Sequence, residues 1–295
     1  MYCELALDRT ENGYLLSEIL EDPDLPPCFR PADIARGFIP AAQLISGRRL
    51  EHLLRVQRED DFCIRLPDRS TFIIALAGSV AAGKSTLTRL LAVLLSHMEG
   101  RPRVETVSSD CFIYPAAELT KRGIMDRKGF PESYDWNALI HFMQEVRRGQ
   151  KRLRLPVYSH EKYDILPDVH TEINAPDILI IEGINMLQTV PSSVRSCGGE
   201  NIAMLADFSI YLDAAEDDLL NFFTGRIQSL AEEGQGFYQS MHSLSREEVN
   251  ERALDVWNRV NLPNLRDHIA PTRKNADMIF AIGHEHELSS VLLRW

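Results

Sequence analysis

The run IALAGSVAAGKSTLTRLLAVLL, Ile74 to Leu95, constrains this chain more than any other stretch. Inside it the spacing Gly78-x-x-x-x-Gly83-Lys84-Ser85 is a Walker A loop, and its surroundings match what such a loop requires. Thr71 to Ala77 is a short, β-branched, apolar run that predicts a strand buried on both faces. After the loop, Leu87, Leu90, Leu91, Leu94 and Leu95 recur at helical spacing. Glycines let the backbone turn tightly, so that successive amides point inward at a helix N-terminus, where aligned peptide dipoles favour an anion. Gly78, Ser79, Val80, Ala81, Ala82, Gly83, Lys84, Ser85 and Thr86 are therefore the expected cradle for the phosphates of a nucleoside triphosphate. Lys84 should reach the β and γ phosphates as a point charge. The Ser85 hydroxyl should ligate Mg²⁺, an ion that takes oxygen ligands and keeps several waters. The bland alternative is a Gly-Ala-rich turn that merely starts a core helix; the strand before it and the helix after it favour the cradle.

With 295 residues and 44% hydrophobic content, the chain can bury a core of ordinary soluble type. A net charge of −11 argues against the broad basic surface that nucleic acid binding needs. The five cysteines, Cys3, Cys28, Cys63, Cys111 and Cys197, are odd in number and contain no Cys-x-x-Cys pair, which fits a reducing cytoplasm. Glu4 and Asp8 interrupt any signal-like apolar region, and no run approaches the ~20 residues of a membrane span.

Residues 1–30, with the acidic, proline-bearing EDPDLPPCF, read as an extended arm, mobile or draped on the body, and residues 31–295 as a single domain. From Ile34 to Phe62, apolar residues around Gly37, Pro40 and Gly47 predict short helices. Further strands are expected at 104–108, 177–181, 208–212 and 277–282. Helices are expected over 135–148, capped by Ser133 or Asp135, over 215–232, and from the capping box Ser245-x-x-Glu248 to about Val260. Strands alternating with helices predict an α/β fold, a mostly parallel β-sheet with helices on both faces.

In such sheets ligands sit beyond the carboxyl ends of the strands. Asp110 and Glu182 fall at two of those ends. In phosphoryl transfer to an alcohol, Asp110 could orient the hydroxyl and take its proton, or it could only cap the following turn or touch Mg²⁺. Glu182 could hold Mg²⁺ through water, contact the substrate, or be a solvated loop acid. Arg226, on a predicted helix, could screen the transferring phosphoryl, although most helix arginines are solvated surface.

Several strings are more specific: GSVAAGKST, SSDCF, KGFPESYD, PVYSH, PDILIIEGINMLQ, DFSIYLDAAED and APTRKNADMI. In order and approximate spacing they resemble the bacterial type I pantothenate kinases, relatives of uridine kinase and phosphoribulokinase, from about Phe38 to Trp295. The resemblance implies the P-loop kinase fold and ATP-dependent phosphorylation of the primary hydroxyl of pantothenate, the first step towards coenzyme A. It also implies Mg²⁺ dependence, a homodimer, and feedback inhibition by coenzyme A at the nucleotide site. Carried over to this chain, Asp110 becomes the catalytic base, Lys84 keeps its phosphate role, and Arg226 meets the γ-phosphate. Tyr158, His160 and Tyr163 line the pantothenate and coenzyme A pocket, and Asn264 binds the pantothenate chain. Arg89 meets coenzyme A alongside Lys84 and His160, and His286 lies on the adenine side.

Four departures from the family pattern bear on specificity. Phe223 stands where the family usually has a tyrosine beside the substrate, Cys111 replaces the usual glycine after the base, and Ser46 falls near a position that favours asparagine. The stretch after Arg226, IQSLAEEGQGFYQSM, is shorter and poorer in aromatics than its counterpart. A lost hydroxyl contact of the Phe223 kind costs about 1 to 3 kcal/mol if its partner stays buried and unpaired. The competing functions are therefore a P-loop kinase acting on another small alcohol, and a nucleotide- or coenzyme A-binding regulator without turnover.

Overall fold

Runs such as Phe72–Gly78 and Ile178–Glu182 offer no polar face, and a strand of that kind is stable only between two covering layers. The computed structural model describes residues 1–5, 13–62, 71–194, 200–234 and 236–294, and places both runs inside a seven-stranded sheet, wholly buried. The described strands are β1 (Tyr2–Glu4), β2 (Phe72–Gly78), β3 (Val104–Ser108), β4 (Leu153–Ser159) and β5 (Asp164–Ile173), followed by β6 (Ile178–Glu182), β7 (Phe208–Ala214), β8 (Met278–Ile282) and β9 (Leu288–Arg294). The sheet order is β1-β9-β8-β7-β2-β6-β3. Strands β3, β6, β2, β7 and β8 pair in parallel, whereas β9 is antiparallel to β8 and β1 to β9. The predicted mostly parallel sheet is thus present, with strands close to the expected limits. The helix Lys84–Ser96 buries Leu87, Leu90, Leu91, Leu94 and Leu95 and packs on β2, β3 and β6. Asp135 caps the helix Trp136–Arg147 by accepting from the Ala138 amide at 3.0 Å, and the Ser245/Glu248 capping box is formed. Among the described residues no helix is long and apolar enough to cross a membrane.

Several segments differ from the sequence reading. Of the expected arm, Tyr2–Glu4 is extended and laid on the body as a strand at the sheet edge, whereas Gly13–Leu20 departs from the extended reading by forming a helix whose Ile19 is fully buried. In place of short helices, Ile39–Phe62 is one 24-residue helix that continues from a π-turn at Ile34–Phe38. The π-turn explains Pro40: a residue that cannot donate a hydrogen bond is tolerated where the regular i to i−4 pattern is already interrupted. The third difference is the hairpin β4–β5, a separate two-stranded sheet. Pro156 and Pro167 inside its strands masked it, because proline marks edge or irregular strand rather than a central one. The two sequence-assigned cysteines Cys63 and Cys197 lie outside the described residues; Cys3, Cys28 and Cys111 are free thiols.

At the end of the sheet away from the glycine loop, Asp207 ties several elements together. Its carboxylate accepts from the Ile73 amide at 2.8 Å and Arg147 at 2.7 Å, and lies 3.1 Å from His52 Nδ1. Burial alone would push its pKa up, but the His52 and Arg147 hydrogen bonds, the Arg147 charge and the Ile73 amide outweigh burial and hold it below the usual range. A carboxyl that titrates lower in the folded than in the unfolded chain, where it sits near ~3.9, stabilises fully above that value. That contribution is lost as pH falls through the folded pKa. Asp207→Asn is expected to cost roughly 3 to 5 kcal/mol at neutral pH. It should also flatten the loss of stability below about pH 4. Urea melts at both pH values test this, and parallel acid limbs in wild type and variant would contradict it.

Candidate active site

The register Leu76↔Glu182 and Gly78↔Leu212 puts the end of β2 between the ends of β6 and β7, so the loop leaves the sheet at its carboxyl edge. Gly78 has φ +155°, and a Cβ there would lie 2.6 Å from the Leu212 carbonyl oxygen, so this close approach admits only glycine. Gly83 (φ 91°) and, more unusually, Ala81 (φ 62°) take left-handed conformations, a local strain typical of functional loops. Lys84 Nζ donates to the Ser79 carbonyl at 2.8 Å, and Ser85 Oγ donates to Glu182 Oε1 at 2.9 Å. Glu182 is buried, which removes the reading of a solvated loop acid.

Asp110 sits in the 3₁₀ turn Ser109–Phe112 that follows β3. Ser108, not Asp110, caps that turn, accepting from the Asp110 amide at 3.4 Å. The turn lies tight against the end of β6: a Cβ on Gly183 would be 1.8 Å from Ser109 Oγ, which itself bonds Asn185 Oδ1 at 2.6 Å. Asp110 is thereby brought beside Glu182 and Lys84 on the wall of a cavity of about 400 Å³. Tyr158, His160 and Tyr163 reach the same cavity from the β4–β5 hairpin, and Phe223 and Arg226 reach it from the helix Glu216–Glu233. Asn264 arrives by a less ordinary route. It lies between π-turns at Trp257–Asn261 and Leu265–Ile269, where the helix that was expected to stop near Val260 continues around Pro263. Its Nδ2 donates to the Gly129 carbonyl at 2.9 Å, leaving Oδ1 buried without a partner among the described residues.

A second depression adjoins the first. Ala81, Lys84, Ser85 and Arg226 line both, while Gly83, Thr86, Phe222 and His286 line only the second. His286 stacks on Phe222 with ring centroids 3.6 Å apart, and burial pushes its pKa down, which favours the neutral imidazole. Gly78, Ser79 and Ala82 shape the loop from behind, Ser79 and Ala82 being buried, and Val80 faces the first cavity. Arg89 is not brought to either space: it is exposed and borders a separate depression with Asp22, Asp24, Glu105 and Glu172.

Burial pushes the Lys84 ammonium down against the pull of Glu182 and Asp110. Burial pushes Glu182 up, and Asp110 adds to this while Lys84 opposes it. Each group favours less charge than it carries in water, and a polyphosphate with its metal would supply the charges that restore both. Cys111, next to Asp110, is pushed by burial up to about 12, so its thiol stays protonated and unreactive.

Sequence reasoning passed over several cavity residues. Lys128 is buried, donates to the Tyr163 carbonyl and sits 3.9 Å from the Tyr163 ring centroid; the string KGFPESYD contains it and also Tyr134. Phe237 stacks on Tyr163 with centroids 4.8 Å apart, and Tyr238 and Met241 line the same wall. No spacing rule marks these three, because they belong to the short 3₁₀ segment Gly236–Met241.

The model of the phosphoribulokinase/uridine kinase family matches residues 73–227. A pantothenate kinase of Bradyrhizobium sp. (strain ORS 278) is 42% identical over 264 residues, covering 87% of this chain and 82% of the relative. A pantothenate kinase of Shewanella baltica (strain OS185) is 40% identical over 239 residues, covering 80% and 76% respectively. In fold the chain is similar to a D-glycerate 3-kinase from Cryptococcus neoformans, with a TM-score of 0.60 at 14% identity over 85% of this chain and 98% of that one. The parallel sheet, the glycine loop at its carboxyl edge and these matches together place the chain in the P-loop kinase fold. It belongs to the phosphoribulokinase/uridine kinase family and, within it, to the pantothenate kinases.

Proposed function

We propose that this protein transfers the γ-phosphoryl group of ATP to the primary hydroxyl of pantothenate, giving 4′-phosphopantothenate for coenzyme A synthesis. The observation that carries the reading is the meeting of two cavities at Lys84, Ser85 and Arg226, with Asp110 on the acceptor side. ATP occupies the second depression, its base towards Phe222 and His286 and its phosphates over the loop. Pantothenate occupies the first, among Tyr158, His160, Tyr163, Phe223 and Asn264. Asp110 orients the hydroxyl and takes its proton as the O–P bond forms, and the bond to the bridging oxygen breaks with its electron pair leaving on ADP. Lys84 and Arg226 neutralise charge on the phosphoryl oxygens.

Mg²⁺ fits the donor set, since the Ser85 hydroxyl and the Glu182 carboxylate are oxygen ligands already in hydrogen-bond contact. When bound, it supplies charge neutralisation to the phosphates. Coenzyme A would act as feedback inhibitor by entering the same space at Lys84 and His160; Arg89 would contribute only to a part of the ligand that passes over another side of the helix. A homodimer in the cytoplasm completes the reading.

The test is ADP release with Mg·ATP and pantothenate, set against nucleosides, sugars and pantetheine. Turnover that requires pantothenate supports the reading. Turnover with another alcohol alone would reassign the acceptor, and nucleotide binding without turnover would make the protein a binding regulator. Phe223 is 6% exposed and presents an apolar ring to the acceptor cavity. Phe223→Tyr is expected to lower the KM for pantothenate by about 3- to 10-fold through one added hydrogen bond. An unchanged or higher KM would mean that this wall is fitted to phenylalanine.

A further inference from the structure

The acceptor cavity is lined by a residue whose hydroxyl no group among the described residues answers. Tyr134 is 2% exposed, lines the cavity with Asp110 and Glu182, and its Oη has no hydrogen-bond partner among the described residues. Seven buried side-chain atoms share that condition, and three of them, on Tyr134, Asn261 and Asn264, belong to residues lining this one cavity. A buried polar group without a partner carries its full desolvation penalty, so such groups are few and each calls for a reason, such as a catalytic role or a bound ligand or water.

The position of Tyr134 is tied to that of the proposed base. Ile113, which closes the turn carrying Asp110, forms an antiparallel bridge with Tyr134. The Tyr114 amide donates to the Ser133 carbonyl at 2.9 Å, and the Asp135 amide donates to the Phe112 carbonyl at 2.8 Å. Backbone bonds on both sides of Tyr134 therefore lock it to the Asp110 turn, and its ring packs on Trp136 with centroids 6.0 Å apart. Burial, with the charges of Asp110 and Glu182, pushes the phenol pKa up, so the group stays protonated and able to donate a hydrogen bond.

We propose that Tyr134 is a further catalytic residue, whose O–H donates to the acceptor oxygen that Asp110 deprotonates. This rests on the kinase reading above. An alcohol oxygen has one proton and two lone pairs. With the proton on Asp110 and one lone pair on Tyr134, the remaining lone pair is directed at the γ-phosphorus, the geometry that in-line transfer requires.

Tyr134→Phe removes only the oxygen. Expected are a kcat with pantothenate lower on the order of 10- to 100-fold, a KM changed less than about threefold, and unchanged Mg·ATP affinity. The Tm of the ligand-free variant should equal or exceed that of the wild type, because an unpartnered buried hydroxyl has been removed. Wild-type kcat in the variant overturns the proposal, whatever its Tm. If kcat and Tm both fall, Trp136→Phe disturbs the same packing while keeping the phenol, and an equal loss of kcat there overturns it too. Parity with an active wild type sinks the Tyr134 assignment alone; a wild type inactive with pantothenate sinks the kinase reading and this proposal together.

Discussion

Asp110→Asn should lower kcat with pantothenate by about 10²- to 10⁴-fold while leaving Mg·ATP affinity within about twofold of wild type. The amide keeps the shape of the carboxylate and cannot take a proton. Asp110 lines the acceptor cavity but not the depression assigned to the nucleotide, so the two effects separate in space. The turn should survive the change, since Ser108 provides its cap. Single-turnover phosphorylation and nucleotide titration measure the two quantities. Residual kcat above roughly a tenth of wild type would remove Asp110 from the role of base, because that loss is smaller than general base catalysis supplies.

Lys84→Met should act on both quantities at once. Lys84 lines both cavities and carries the charge nearest the loop carbonyl of Ser79. Its removal is expected to lower kcat/KM for ATP on the order of 10²- to 10³-fold, the scale of losing one preorganised donor to a developing anion. Arg226 is exposed and comes from a different element, the helix Glu216–Glu233, so it does not replace Lys84 in the loop. A pH effect should follow. Lys84 holds the Glu182 pKa down against burial, so without Lys84 that pKa rises further and the acidic limb of the residual rate should move to higher pH. An unmoved limb with the expected loss of rate would show that Glu182 does not titrate in the active range.

The contrast between these variants follows from how the site is assembled. One part was legible from local pattern: an apolar strand, a glycine loop and an amphipathic helix are contiguous, so their chemistry is written in a single run of the chain. The acids were partly legible. Asp110 and Glu182 could be located at strand ends, yet pattern alone left Asp110 divided between base, cap and Mg²⁺ contact, and Glu182 between Mg²⁺ ligand, substrate contact and solvated acid. Packing removed one reading of each, because Ser108 takes the cap and Glu182 is buried against Ser85. Tyr158, His160 and Tyr163 were reachable only through resemblance, since the prolines in β4 and β5 disguise the hairpin that carries them. Tyr134 and Phe237 lie within the strings KGFPESYD and IQSLAEEGQGFYQSM, but neither local pattern nor the resemblance assigned them a role.

The sequence by itself determined the parallel α/β class, through the alternation of strands and helices, and the phosphate cradle and the helix behind it, which depend on residues within one or two turns of one another. Periodicity and the left-handed freedom of glycine are local properties, and they survive any change in distant packing. Only the tertiary structure decided how the acceptor cavity closes. Its walls come from the turn after β3, the end of β6, the β4–β5 hairpin, the helix at Glu216–Glu233 and the π-turns around Asn264, segments far apart along the chain. Whether a carboxylate there is buried, a helix interrupted at Pro263 continues, or a phenol lacks a partner depends on what the other segments place beside it. Those are properties of packing, and they have no counterpart in the spacing of letters.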